Sequence, residues 1–130
     1  MDKNTFKKQE RLCSQKVIEE MFSSGLSTLS FPIKAVYITN SSYADQNVGN
    51  QAAFTVPKRL FKRANKRNLL KRRMKEAYRL NKSLIPSGEV ISVMFIFIGK
   101  EELPYDRIEQ AMKKVMKKIS QSIITKEGDQ

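Results

Sequence analysis

The sequence predicts an α+β fold in one domain: an α/β sandwich, a small mixed sheet with helices packed on it. Three observations predict it. Stretches rich in branched and aromatic residues alternate with stretches whose apolar residues recur at helical spacing. Residues 89–98 form a near-continuous apolar segment, the pattern of a strand covered on both faces. At 130 residues, 40% hydrophobic and 8% aromatic, the chain is long enough for one core and too apolar for a disordered basic tail. Residues 1–130 are read as a single domain, with 1–12 and 126–130 as flexible ends.

The elements follow in order. Residues 14–24 read as a short helix: Ser14 can cap it, and Val17, Ile18, Met21 and Phe22 sit at helical spacing. Gly25 suits the left-handed residue that ends a helix. Residues 31–39 and 52–56 read as strands, so two or three strands precede the next helix. The polar stretch 40–51 between them, with Gly49, reads as a loop joining neighbouring strands. Residues 61–81 form a basic helix, with Pro57 ahead and Pro86, Ser87 and Gly88 in the linker behind. After the buried strand 89–98, Asp106 caps a last helix. Its apolar stripe is Ile108, Met112, Val115, Met116, Ile119 and Ile123, opposed by Lys113, Lys114, Lys117 and Lys118.

Charge points to function. Residues 58–82 hold twelve of the 25 Lys and Arg residues and one acid, Glu76, and so carry +11 of the net +12. The remainder is nearly neutral, with 13 basic and 12 acidic residues. A solvated helix face interleaves acids at four-residue spacing, each pair adding a few tenths of a kcal/mol. Here Lys62/Lys66, Arg63/Arg67, Arg67/Lys71, Lys71/Lys75 and Lys75/Arg79 are all repulsive. A polyanion offsets that repulsion, and nucleic acid is the expected partner. At the helical repeat Leu60, Ala64, Met74 and Tyr78 form the stripe that docks on the sheet, with Arg67 and Lys71 in the same stripe.

Other classes are disfavoured. The chain has no His and no cluster of carboxylates spaced to hold two metals; Glu19-Glu20 and Glu101-Glu102 read as exposed surface. The single cysteine, Cys13, reads as a buried thiol in a reducing compartment. The longest apolar run, residues 90–99, is half of a membrane span, and residues 1–15 lack a signal-peptide core, so no membrane is expected and the protein reads as cytoplasmic. No leucine heptads or helix-turn-helix pair favour a DNA-binding module, and no K/R-G-F-G-F strand motif marks the common single-strand RNA module.

The string F-T-V-P-K-R from Phe54, followed by K-R-A-N-K-R-N-L-L-K-R-R-M-K-E-A-Y-R from Lys62, resembles the signature of the bacterial ribonuclease P protein subunit. So does Ile18-Glu19-Glu20-Met21-Phe22-Ser23-Ser24-Gly25-Leu26-Ser27, which is similar to that family's first helix. The resemblance spans roughly residues 7 to 125. It departs at Leu69, where the family core has a second Arg, at Asn65, where the family is apolar, and at Ile18, often aromatic in the family.

The resemblance implies the order αβββαβα with a left-handed strand-helix-strand crossover, against the usual hand. It implies a subunit of an endoribonuclease that removes the 5′ leader of precursor tRNA, with the chemistry carried by the RNA subunit and its magnesium. No cofactor bound by the protein alone and no obligate protein partner are implied. The RNA-contacting set it implies is Lys58, Arg59, Lys62, Arg63, Lys66, Arg67, Asn68, Lys71, Arg72, Arg73 and Lys75, with Arg67 and Asn68 at the motif's centre. The resemblance also implies a cleft between the first helix and the sheet that holds the leader, lined by Ile18, Phe22, Tyr37 and Phe54, where aromatic faces would stack bases. Phe22 has a competing place in the helix's apolar stripe, whereas Tyr37 carries a hydroxyl that prefers a partly wet site. The alternative function is a ribosomal or other structural RNA-binding protein.

Overall fold

The computed structural model describes residues 8–44, 49–85 and 89–128, with side chains as far as Ile123. Three helices and four strands occur in the order α1 Gln15–Ser24, β1 Leu26–Ser30, β2 Ile33–Thr39, β3 Gln51–Thr55, α2 Ala64–Leu80, β4 Ile91–Phe97 and α3 Tyr105–Gly128. The four strands form one mixed sheet in the spatial order β1-β2-β4-β3; β4 is antiparallel to β2 and parallel to β3. The α+β reading therefore holds.

β4 is central, and its apolar run is explained by cover on both faces. Ile91, Val93, Phe95 and Phe97 point to the side carrying α2 and α3, where they meet Ile33, Ala35, Tyr37, Leu70, Met74, Tyr78, Met112 and Met116 in the main core. Phe95 anchors this layer, with Phe54 stacked on it at 5.5 Å between ring centroids and Tyr78 tilted at 5.7 Å. α1 lies on the opposite side, where Val17 and Met21 bury against Leu12 and Val36 in a smaller core.

Several expectations change. The loop after β2 does not lead to a neighbour, because β4 inserts between β2 and β3. Residues 26–30 form a strand of their own, and Phe31 sits in the turn after it instead of opening β2. Gly25 has φ −77°, so it is not a left-handed cap. It is glycine because a Cβ there would lie 2.3 Å from the Met21 carbonyl oxygen and 2.7 Å from that of Tyr37. Ser14 does cap α1, accepting from the Val17 N–H at 3.4 Å. Asp106 lies within the first turn of α3 rather than ahead of it, a position that also favours an acid. Cys13 is exposed, not buried.

Residues 8–12, expected from sequence to belong to a flexible end, run along the outer edge of β3. Leu12 N–H donates to the Ala52 carbonyl at 2.9 Å, the Gln51 amide donates to the Gln9 carbonyl at 2.9 Å, and Glu10 pairs with Lys82 at 3.1 Å. Residues 1–7 and the 86–88 linker lie outside the described residues, as do positions 129–130 of the expected tail. Among the described residues no helix is long and apolar enough to cross a membrane.

Candidate nucleic-acid interface

The basic helix begins at Ala64, three residues later than its composition suggests. Lys62 and Arg63 therefore belong to the exposed loop that also carries Lys58 and Arg59. The buried stripe is Leu70, Met74, Ala77 and Tyr78; Ala64 is exposed and Leu60 precedes the helix. Burial of Tyr78 against Phe95 and Phe54 pushes its hydroxyl pKa well up, so it stays protonated.

That stripe divides the cations into two groups. At the helical repeat, Arg67, Asn68, Lys71 and Lys75 lie along one flank and Arg72 on the crest. Lys66, Leu69 and Arg73 lie along the other flank, facing the loop between β4 and α3. On that second flank Glu102 meets Lys66 at 2.9 Å and Arg73 at 3.3 Å, and Arg73 also donates to the Leu103 carbonyl at 2.5 Å. The Lys66 hydrogen bond, reinforced by the charges of Lys66 and Arg73, holds the Glu102 carboxyl below the usual carboxylate range. Near the end of α2, Arg79 is matched by Glu76.

The first flank is different. Among the described residues Lys58, Arg59, Lys62, Arg63, Lys71, Arg72 and Lys75 form no ion pair or side-chain hydrogen bond. Arg67 turns inward instead: its Nη1 donates to the carbonyls of Phe61 at 2.7 Å and Lys62 at 2.9 Å. This ties the 57–63 loop to the first turns of α2 and resolves how an arginine can lie so near the packing stripe. The structure thus spreads the predicted cations over both flanks of α2 and the 57–63 loop, with Lys66 and Arg73 sharing the one carboxylate of Glu102 and Arg67 engaged in holding the loop.

The residues assigned to a cleft beside α1 separate. Ile18 is half-buried on the α1 side, packed like Ile38, Ala53, Met94 and Ile96 against the smaller core. Phe22 is 57% exposed, which corrects its alternative placement in the core. Tyr37 is 3% exposed and faces the main core on the opposite side of the sheet, and Phe54 stacks there on Phe95. Neither aromatic can line a cleft under α1, because strand residues alternate between faces and both have the parity of the α2 side. Sequence reasoning missed Lys34, exposed on the α1 side of β2, and Glu102, whose partners are distant in the chain.

Comparison with known proteins identifies the family. The family model for ribonuclease P matches residues 6–120. The chain belongs to the ribonuclease P protein family. It is 31% identical over 121 residues to the ribonuclease P protein component of Porphyromonas gingivalis, covering 89% of this chain and 87% of that one. It is 30% identical over 126 residues to that of Petrotoga mobilis, covering 92% and 98%. The solved RNase P protein of Thermotoga maritima shares the fold at a TM-score of 0.69 and 23% identity, covering 85% of this chain and 97% of that one. The Staphylococcus aureus protein does so at 0.67 and 19%, covering 83% and 93%. As a family member the chain is a ribonuclease P component in tRNA processing.

The flank that pairs with Glu102 gives the first expected result. Glu102→Gln should release Lys66 and Arg73, tightening binding to ribonuclease P RNA and steepening the fall of log affinity with log salt by roughly 0.7 to 0.9 for each cation that reaches a phosphate. Thermal stability should barely move, since solvent screens both pairs. A salt titration of RNA binding checks this, and an unchanged slope would show that these two cations point away from the RNA.

Proposed function

We propose that this chain binds the catalytic RNA of ribonuclease P through α2 and the 57–63 loop, and contacts the 5′ leader of precursor tRNA on the sheet face beside α1. The observation that carries the first half is the unmatched flank: exposed Lys62 and Arg72 with half-buried Lys71 and Lys75, none of them paired with an acid among the described residues. Phosphates supply the missing counter-charge, and such contacts position an RNA without reading its sequence. The second half is supported by the strip that the ten-residue α1 leaves half covered. Ile18, Ile38, Met94 and Ile96 offer apolar surface there, with exposed Phe22 and Lys34 to stack a base and meet a phosphate.

In this reading the hydrolysis is carried by the RNA, and magnesium is held through the RNA rather than by protein side chains. The donor set of the chain supports it. There is no His to act as general acid or base, and among the described residues no three acids or other ligands gather where they could hold a metal, while Glu10, Glu76 and Glu102 are each engaged by a cation.

The test is reconstitution. Purified chain added to ribonuclease P RNA at low magnesium should raise the rate of precursor-tRNA cleavage at the mature 5′ end, and the chain alone should cleave nothing. Binding to the RNA without any rise in rate would favour the structural RNA-binding alternative. Cleavage by RNA-free protein, after removal of contaminating ribonuclease, would overturn RNA-borne catalysis.

A further inference from the structure

We propose that a recess at one end of the sheet takes an unpaired nucleobase of the RNA bound along α2; this rests on the reading of α2 given above. The β1–β2 turn, the 57–63 loop and the 98–104 loop all leave the sheet at that end, because β3 runs parallel to β4 and β2 antiparallel to it. There a cavity of about 260 Å³ is lined by Phe31, Ile98, Gly99, Lys100, Glu101 and Leu103. It is smaller than the roughly 300 Å³ at which pockets for drug-sized ligands begin, a size for one planar group rather than a length of chain.

Its chemistry matches a base. Phe31 is 63% exposed and its ring contacts no other ring among the described residues, so a flat face is available for stacking. Ile98 and Leu103 give an aliphatic floor. Lys100 and Glu101 place a donor and an acceptor at the rim, the pair needed by base edges that carry both. An apolar side chain from a protein partner would leave both of these charges unmatched.

The recess is also joined to the basic surface. Leu103 accepts from Arg73 of α2 at 2.5 Å, and the neighbouring Glu102 holds Lys66. The 57–63 loop brings exposed Lys58, Arg59, Lys62 and Arg63 to the same end, where they can hold the phosphates on either side of a base turned inward.

Phe31 is exposed, so its substitution tests binding without breaking the core. Phe31→Ala, Phe31→Tyr and Phe31→Leu are to be titrated against ribonuclease P RNA over a range of salt, with the Lys71→Ala/Arg72→Ala double variant alongside. Phe31→Ala should bind between about fivefold and about a hundredfold more weakly, the range for removing one stacking platform. Its salt slope and melting temperature should be unchanged, because the ring meets no phosphate and buries little area. Phe31→Tyr should restore affinity and Phe31→Leu should not. Unchanged affinity for Phe31→Ala, while the double variant weakens, would overturn the recess and leave α2 as the interface. Unchanged affinity for both would remove the two readings together. Full restoration by Phe31→Leu would overturn the nucleobase in favour of a plain apolar contact.

Discussion

Replacing Lys71, Arg72 and Lys75 together by alanine is expected to lower affinity for ribonuclease P RNA by on the order of a hundredfold at 0.15 M salt. The size of the effect follows from counterion release. Each phosphate that is no longer neutralised takes roughly 0.7 to 0.9 off the slope of log affinity against log salt, so three take off about two to three. Extrapolated back from about 1 M, where the electrostatic gain largely vanishes, that slope difference alone gives the hundredfold. The fold should tolerate the change. None of the three side chains is buried, none pairs with an acid among the described residues, and alanine removes the like-charge repulsion between Lys71 and Lys75. Alanine at Lys66 and Arg73 should weaken binding less for each cation removed, because Glu102 already cancels much of their charge. An equal effect per cation on the two flanks would mean that the RNA straddles the helix and displaces Glu102.

The sequence carries the order of elements well because each rests on a local signal. The 3.6-residue stripes of α1 and α3 and the branched, aromatic composition of β2 and β4 depend on neighbours within a few positions. What it carries poorly is which side of the sheet a strand residue faces. β2 is apolar on both sides, with Ile33, Ala35 and Tyr37 in the main core and Val36 and Ile38 under α1. A strand covered on both faces shows no alternation to fix its parity, so by sequence Tyr37 and Phe54 suit either side equally. The order of β3 and β4 is hidden for a related reason. Nothing in the polar 40–51 stretch says that a strand arriving after α2 will insert between the two strands it joins.

The cationic surface is legible in the sequence as a whole but not in its parts. Thirty-six positions separate Lys66 from Glu102, and no local spacing announces their pairing. Helical spacing puts Arg67 near the packing stripe, yet its two backbone acceptors, Phe61 and Lys62, come into view only once the helix is seen to start at Ala64. Gly25 shows the same limit. Its identity is informative, but the cause is the approach of two carbonyls, one of them from a strand residue twelve positions on, and not its backbone angle.

Tyr37→Ala is expected to destabilise the protein by about 3 kcal/mol or more, the range for emptying a buried aromatic site. In a domain of this size that is roughly 10 °C in melting temperature. Tyr37 is 3% exposed in the layer with Ala35, Val93 and Phe95, and it borders a cavity of about 210 Å³ beneath the far end of α3, lined also by Ile123. The space left could not collapse easily, because the Tyr37 backbone carbonyl is also the close neighbour of Gly25. Any loss of function should then fall equally on precursor and mature tRNA, in proportion to the fraction folded. Phe22→Ala should do the reverse. At 57% exposure it removes little buried area, so stability should hold, while binding of precursor tRNA weakens and mature tRNA is spared. Thermal melts and paired binding titrations of the two variants decide between the faces of the sheet. A stable Tyr37→Ala protein with a defect confined to precursor tRNA would require the leader to reach the α2 side, into a layer that α2 and α3 close, and would overturn the placement of the leader beside α1.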